Sequence, residues 1–257
     1  PIHTAAGAPV AITGELAWDD FDQVMWGVGL PVGVSQTSSD AGTSIYTIKT
    51  NGEATFRFDA TPLLTDCTAS SHPDVKGCKK FVDGLAWDGS DRTLWYSPDA
   101  TQRVYHFKTG PSLPSGPITA TLDTSNPLPT GYFDVNASNP PAGNMNPPCP
   151  TTAGQTSWQT SGIVAGTSSS GVKILYLAAA SCHFYFSYTA NGQRVSPPST
   201  SPPASAFSYD FNRAEGMECD NKTFKGTQRS GFATTTKIRS WRSSSLRTTF
   251  APSEAPR

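Results

Sequence analysis

The sequence predicts an all-β fold: a β-propeller of four-stranded antiparallel blades. It holds about three blades plus the start of a fourth, and so an incomplete or open ring. Three observations predict it. The first is a repeated phrase. Gly14-Glu15-Leu16-Ala17-Trp18-Asp19-Asp20-Phe21-Asp22-Gln23-Val24-Met25-Trp26 recurs as Asp83-Gly84-Leu85-Ala86-Trp87-Asp88-Gly89-Ser90-Asp91-Arg92-Thr93-Leu94-Trp95 without a gap. Each copy reads as strand, tight polar turn, strand: alternating Leu and Trp, a turn whose Asp side chains bond their own backbone, then a β-branched and aromatic run. The second is composition. Charged residues make up 15% of the chain against roughly 25% in average globular proteins, with 22 Gly and 22 Pro. The third is the recurrence of hairpin turn signals such as Asn51-Gly52 and Asn191-Gly192 between apolar runs.

Taken in order, residues 1–13 form an entry segment with a candidate edge strand at Pro9-Val10-Ala11-Ile12. The first blade, about 14–60, has strands near Leu16–Trp18, Gln23–Val28, Ser44–Ile48 and Thr55–Phe58. The second, about 81–123, has strands near Gly84–Trp87, Thr93–Ser97, Arg103–Phe107 and Ile118–Leu122. Residues 124–160 read as a long Asn/Pro/Gly-rich insertion, of the length that usually serves function or stays disordered. The third blade, about 161–196, is degenerate: its tryptophans are replaced, with Tyr176 near the place of the second. A fourth opens in 206–224 at Glu215-Gly216-Met217-Glu218-Cys219-Asp220, which aligns with Asp83 to Asp88. From 225 to 257 seven Lys or Arg face one acidic residue, Glu254, and strand periodicity fades. That segment reads as a disordered basic tail, a polyanion-binding tail, or sequence that has left its frame.

Net charge is −1, so the chain as a whole has no field that would recruit nucleic acid or an anionic membrane. No run approaches the ~18 apolar residues of a membrane span. Cys67 and Cys78 flank a short polar segment and read as a disulfide closing a surface loop, a bridge contributing roughly 2–3 kcal/mol in the chain-entropy model. Cys149, Cys182 and Cys219 leave one thiol over. Asn136-Ala137-Ser138 and Asn221-Lys222-Thr223 match the N-glycosylation acceptor pattern. Together these features predict a secreted protein. Its start at Pro1 fits a removed signal peptide or a fragment.

The two aligned phrases and Glu215-Gly216-Met217-Glu218-Cys219-Asp220 resemble the six-bladed propeller superfamily, which includes NHL-repeat, SMP-30/gluconolactonase and strictosidine-synthase-like proteins. Blades of that group commonly open with an acidic residue, Gly, an apolar residue, any residue and an aromatic. Here that is Asp83-Gly84-Leu85-Ala86-Trp87, and again from Glu215, with Cys219 in the aromatic place. Three blades and an opening do not close a six-bladed ring. The expectation is therefore an incomplete chain, or ends that pair with another copy, because an open ring exposes strand edges.

In a propeller the innermost strands start beside the central channel, which would bring Glu15, Asp83 and Glu215 toward one axis. The resemblance to SMP-30-like lactonases implies a calcium or other divalent ion held by such acids, and hard cations seek six to eight oxygen ligands. The competing reading has these acids accepting backbone N–H bonds at strand ends. Glu15 is one position out of register with Asp83. Asp19, Asp22, Asp88 and Asp91 read as turn-forming, and Trp18, Trp26, Trp87 and Trp95 as packing residues. His3, His72, His106 and His183 lie in unrelated contexts, with no Gly-x-Ser-x-Gly elbow beside them.

Two functions follow from these residues. One is a secreted, non-catalytic propeller that binds an extracellular protein or glycan through loops 30–43, 124–160 and 197–205. The other is a divalent-metal-dependent lactonase or esterase using the central channel. They differ in what lines that channel: at least three converging oxygen ligands for the second, small or apolar groups for the first.

Overall fold

A computed structural model describes residues 1–34, 42–64, 82–98, 103–125, 127–135, 159–167, 171–180, 184–193, 195, 207–208, 216–220 and 229–233. For 82–83, 98, 159–161, 167, 178–180, 184–186, 207–208, 216–220 and 229–233 the backbone alone is described. Apart from a 3-10 turn at Thr61–Leu63 the regular structure among these residues is all strand.

Blade 1 is a sheet in the order β1 (Ile12–Asp19), β2 (Val24–Gly29), β3 (Ser44–Lys49) and β4 (Ala54–Asp59). Blade 2 contains β5 (Val82–Asp88), β6 (Thr93–Pro98), β7 (Arg103–Lys108) and β8 (Tyr132–Asp134), and blade 3 contains β9 (Gln159–Thr167), β10 (Lys173–Ala180), β11 (Phe184–Thr189) and β12 (Phe207–Ser208). All neighbours within a sheet are antiparallel. A two-stranded unit follows, β13 (Gly216–Asp220) with β14 (Arg229–Ala233). The innermost strands meet around a circuit: β1 lies against β5, β5 against β9, β9 against β13, and β13 reaches back to β1. This is a propeller. Among the described residues its fourth unit has the two strands β13 and β14.

The repeated phrase fixes the ladder register. Ala17 pairs with Trp26 and Trp18 with Met25; Ala86 pairs with Trp95 and Trp87 with Leu94. Trp18 and Trp87 thus hold matching places in neighbouring sheets. Because side chains alternate across a strand, Ala17 and Trp26 face blade 2, while Leu85, Trp87, Leu94 and Tyr96 face blade 1. Ala86 and Trp95 face blade 3, where they meet Ile163, Leu175 and Leu177. The other flank of blade 1 is partly covered by the entry segment, with Ile2 and Val10 packed against Tyr46, Ile48 and Ala54. Pro9 there forms a bridge with His3, which bridges to Glu53 just before β4.

Two elements differ from the sequence reading. In the outer strand of blade 2, Leu122 makes only an isolated bridge to Phe107. The chain then swings out and returns at Tyr132, opposite Tyr105. The apolar run Ile118–Leu122 signals burial, but Ile118 spends its N–H on the Arg57 carbonyl of blade 1 rather than on β7. The regular strand therefore falls inside the segment expected to be an insertion. The second difference is β14, which lies in the stretch expected to have lost its strand pattern. By ladder register Tyr176, opposite Val164, sits where Trp95 sits opposite Ala86, in keeping with the sequence reading.

Candidate functional site

Glu15 is the one axial acid whose side chain is described. It is buried, and its Oε2 accepts the backbone N–H of Leu85 at 2.8 Å and of Ile163 at 3.3 Å. One carboxylate oxygen on β1 thus ties together the inner strands of blades 2 and 3. The place aligned with Glu15 in the second repeat is Gly84. A Cβ there would lie 2.9 Å from Ile163 Cγ2 and 3.0 Å from Ser97 Cβ. Blades 2 and 3 therefore lie too close for a side chain there, and the carboxylate comes from Glu15 of blade 1. A cation approaching Oε2 would face two N–H donors directed at the same oxygen. The observed geometry fits the strand-capping reading of Glu15. Asp83 stands on β5 with its backbone alone described, and Glu215 lies outside the described residues, as do Cys67, Cys78, Asn136 and Asn221. Among the described residues, no three His, Cys, Asp or Glu side chains group so as to hold a metal ion.

A second constellation surrounds the turns between first and second strands. Asp19 Oδ1 accepts the N–H groups of Phe21 and Asp22, while its Oδ2 accepts the indole N–H of Trp26 at 3.2 Å. Asp88 repeats this with Ser90 and with Trp95 at 3.3 Å. Gln23 and Arg92, at aligned positions, both adopt positive φ, 55° and 59°. The turn acids are then gripped from the next blade. Arg92 of blade 2 bonds Asp22 of blade 1, and Lys173 of blade 3 bonds Asp91 of blade 2 at 2.5 Å and Asp88 at 2.6 Å. Asp19 and Asp88, alike in their turn bonds, consequently titrate in opposite directions. Burial raises Asp19, and its hydrogen bonds only partly offset this. Burial also pushes Asp88 up, but the Lys173 ammonium and the Ser90 bonds outweigh it and leave the pKa lowered.

This belt continues into blade 2. Thr93 donates its hydroxyl proton to Asp91, and His106 Nε2 lies 2.6 Å from Thr93 Oγ1, so the ring nitrogen is the donor in that contact. His106 stacks on Trp95 with centroids 3.8 Å apart and 10° between planes, and its Nδ1 is 3.8 Å from Asp123 Oδ2. Hydroxyl, imidazole and carboxylate in a row have the composition of a nucleophilic triad. The polarity is wrong for one. The hydroxyl has already given its proton away, the imidazole donates instead of accepting, Nδ1 is beyond hydrogen-bond range of Asp123, and all three side chains are buried. Burial lowers the pKa of His106, and the nearby acids Asp91, Asp123 and Asp88 only partly counter it. Across blades 1 and 2, Arg57 is also buried, bonding Thr47 at 2.7 Å and the carbonyls of Pro114 and Gly116.

The sequence did not single out Lys173, Arg92, Asp123 or Arg57. The signal available for Lys173 was a lone cation interrupting the apolar run Val172 to Ala180. For Arg92 it was alignment with Gln23 in a turn already rich in Asp.

No protein-family model matches the chain, and no curated protein matches it. Solved structures similar to it include a luciferin-regenerating enzyme, with 8% identity over 79% of this chain and 48% of that one, at a TM-score of 0.41. A PQQ-bound aldose sugar dehydrogenase from Streptomyces coelicolor has 13% identity over 82% of this chain and 55% of that one, at a TM-score of 0.31. A COPII outer coat vertex has 11% identity over 81% and 54%, at 0.30. The chain thus spans about half the length of these three matched chains. Nothing about substrate, cofactor or partner passes to it from likenesses this distant.

Proposed function

We propose that this protein is a secreted, non-catalytic propeller that binds a protein or glycan ligand through its faces. The observation that carries the reading is the bonding of Glu15: its Oε2 serves the amides of Leu85 and Ile163, with Gly84 and Ile163 as close neighbours. A carboxylate engaged in this way secures the blades against one another, which is what a rigid binding scaffold requires. The acids Asp22, Asp88 and Asp91 are likewise bonded to cations of the following blade. Loops 30–43, 124–160 and 197–205, which the reading expects to carry the ligand contacts, lie largely outside the described residues. The test is to present the purified chain to an array of extracellular glycans and to extracellular proteins. Lactone and ester hydrolysis are followed in parallel with and without added calcium. Saturable binding without calcium-dependent turnover supports the reading. Turnover that needs calcium would replace it with the metal-dependent lactonase reading.

A further inference from the structure

Resting on that reading, we propose that the junction of the β1–β2 and β5–β6 turns is a binding site for a neutral sugar, with Phe21 as its platform. Phe21 is 64% exposed, the highest exposure of any large hydrophobic side chain among the described residues. Beneath it the Arg92 guanidinium lies 5.7 Å from the Phe21 ring centroid and 5.6 Å from that of Trp87. Trp87 is only 9% exposed, yet its Nε1–H has no acceptor among the described residues, and neither has Arg92 Nε–H. Both atoms are shut off from solvent, so each carries the cost of an unmet buried donor.

The Trp87 donor adjoins one small locus. The position a Cβ would take on Gly89 is 3.1 Å from Phe21 Cε2, 3.5 Å from Asp20 Oδ1 and 3.5 Å from Trp87 Nε1. An aromatic edge, a carboxylate and an indole N–H therefore meet at one point, covered by a side chain on an exposed turn. Rotation of Phe21 uncovers the donors, and a ligand that supplies acceptors there satisfies them.

Charge selects the ligand. Asp22 is paired with Arg92, and Asp88 and Asp91 share the single cation Lys173, so with buried Asp19 the junction is net negative, and the carboxylate it exposes at the locus is that of Asp20. An anionic ligand would meet this carboxylate, so an acidic group is disfavoured although two donors await it. A neutral sugar has both halves of the chemistry. Its hydroxyls accept from Trp87 and Arg92 and donate to Asp20, while its C–H face packs on Phe21. No covalent step is involved.

Calorimetric titration with maltotriose, mannotriose and chitotriose tests the site, with trigalacturonate and an acidic hexapeptide as contrasting arms. At least one neutral trisaccharide is expected to bind. Phe21→Ala, which removes the platform, and Gly89→Ala, which places a methyl on the meeting point, are each expected to weaken it by about tenfold or more. Trp87→Phe keeps a ring against Trp26 but deletes the donor, and is expected to weaken binding as well. Melting curves of the variants separate lost binding from lost fold. The proposal is overturned if no neutral trisaccharide binds, if binding survives both Phe21→Ala and Gly89→Ala, or if an acidic probe is preferred. Sugar binding that survives these substitutions removes this site and leaves the wider binding reading standing. Capture of a protein ligand in the absence of any sugar binding does the same.

Discussion

The indole of Trp26 on β2 lies nearly parallel to that of Trp87 on β5, with centroids 5.8 Å apart and 13° between planes. One is the second tryptophan of its repeat and the other the first of the next, so the repeat supplies both halves of its own interface. Trp26 is 1% exposed, and its removal opens a cavity between blades 1 and 2. Trp26→Ala is expected to lower unfolding free energy by about 3–5 kcal/mol. A double-mutant cycle with Trp87→Ala is expected to show a coupling of about 0.5–1.5 kcal/mol. Denaturant melts of the four proteins measure both quantities, and strict additivity would mean that the stack contributes nothing beyond area.

Glu15→Gln and Glu15→Ala should differ. The amide oxygen of Gln can still accept from Leu85 and Ile163, whereas Ala leaves two buried N–H groups without this partner. Each unmet donor costs about 1–3 kcal/mol, so Ala is expected to be the more damaging substitution by about that amount or more. If the carboxylate instead served a metal, Gln would be nearly as harmful as Ala, and a chelator would lower the melting temperature of the parent protein. We expect the chelator to leave it unchanged.

Acidification is expected to weaken the fold in two stages. His106 has a folded pKa below its ordinary 6.5, so the unfolded chain takes up this proton first. Stability from this group is complete above the unfolded value and falls as pH drops below about 6.5. Asp88 is also lowered, from 3.8, so its contribution is present above that value and is lost as pH falls further. Urea titrations across pH should show His106→Gln flattening the first stage only. A melting temperature that rises between pH 7 and 5 in the parent chain would contradict the assignment.

Lys173→Met keeps the length of the side chain while deleting the ammonium that bonds Asp88 and Asp91. Leaving Asp88 buried without its cation is expected to cost about 3–5 kcal/mol, as when one partner of a buried pair is removed. It should also move Asp88 upward, toward the behaviour of Asp19. A carbon-13 titration of the Asp88 carboxyl follows that shift directly.

The repeat was legible because Leu16, Trp18, Asp19 and Trp26 recur in step with Leu85, Trp87, Asp88 and Trp95, and a strand's two-residue period converts that alignment into ladder register. The turn roles of Asp19 and Asp88 followed from their residue type. Other features had no local cause and so left no local signal. Tyr132–Asp134 forms the outer strand of blade 2, while Ile118 gives its N–H to the Arg57 carbonyl on another blade. Lys173 is polar in an apolar run because its partners, Asp88 and Asp91, belong to the preceding sheet. Glu15 looked like a cation ligand because a carboxylate beside an axis serves a metal or an amide equally well. In the structure its Oε2 accepts the amides of Leu85 and Ile163, a pairing that depends on blades 2 and 3 and leaves no local signal.

The carboxylate of Glu15 joins partners 70 and 148 positions further along the polypeptide. During synthesis from the amino end, the first blade therefore emerges with a central group whose second donor does not yet exist. Contacts of such sequence separation slow folding, so the first sheet should consolidate only once the chain beyond Ile163 has left the ribosome. A nascent chain stalled short of that residue should remain a substrate for proteases and chaperones.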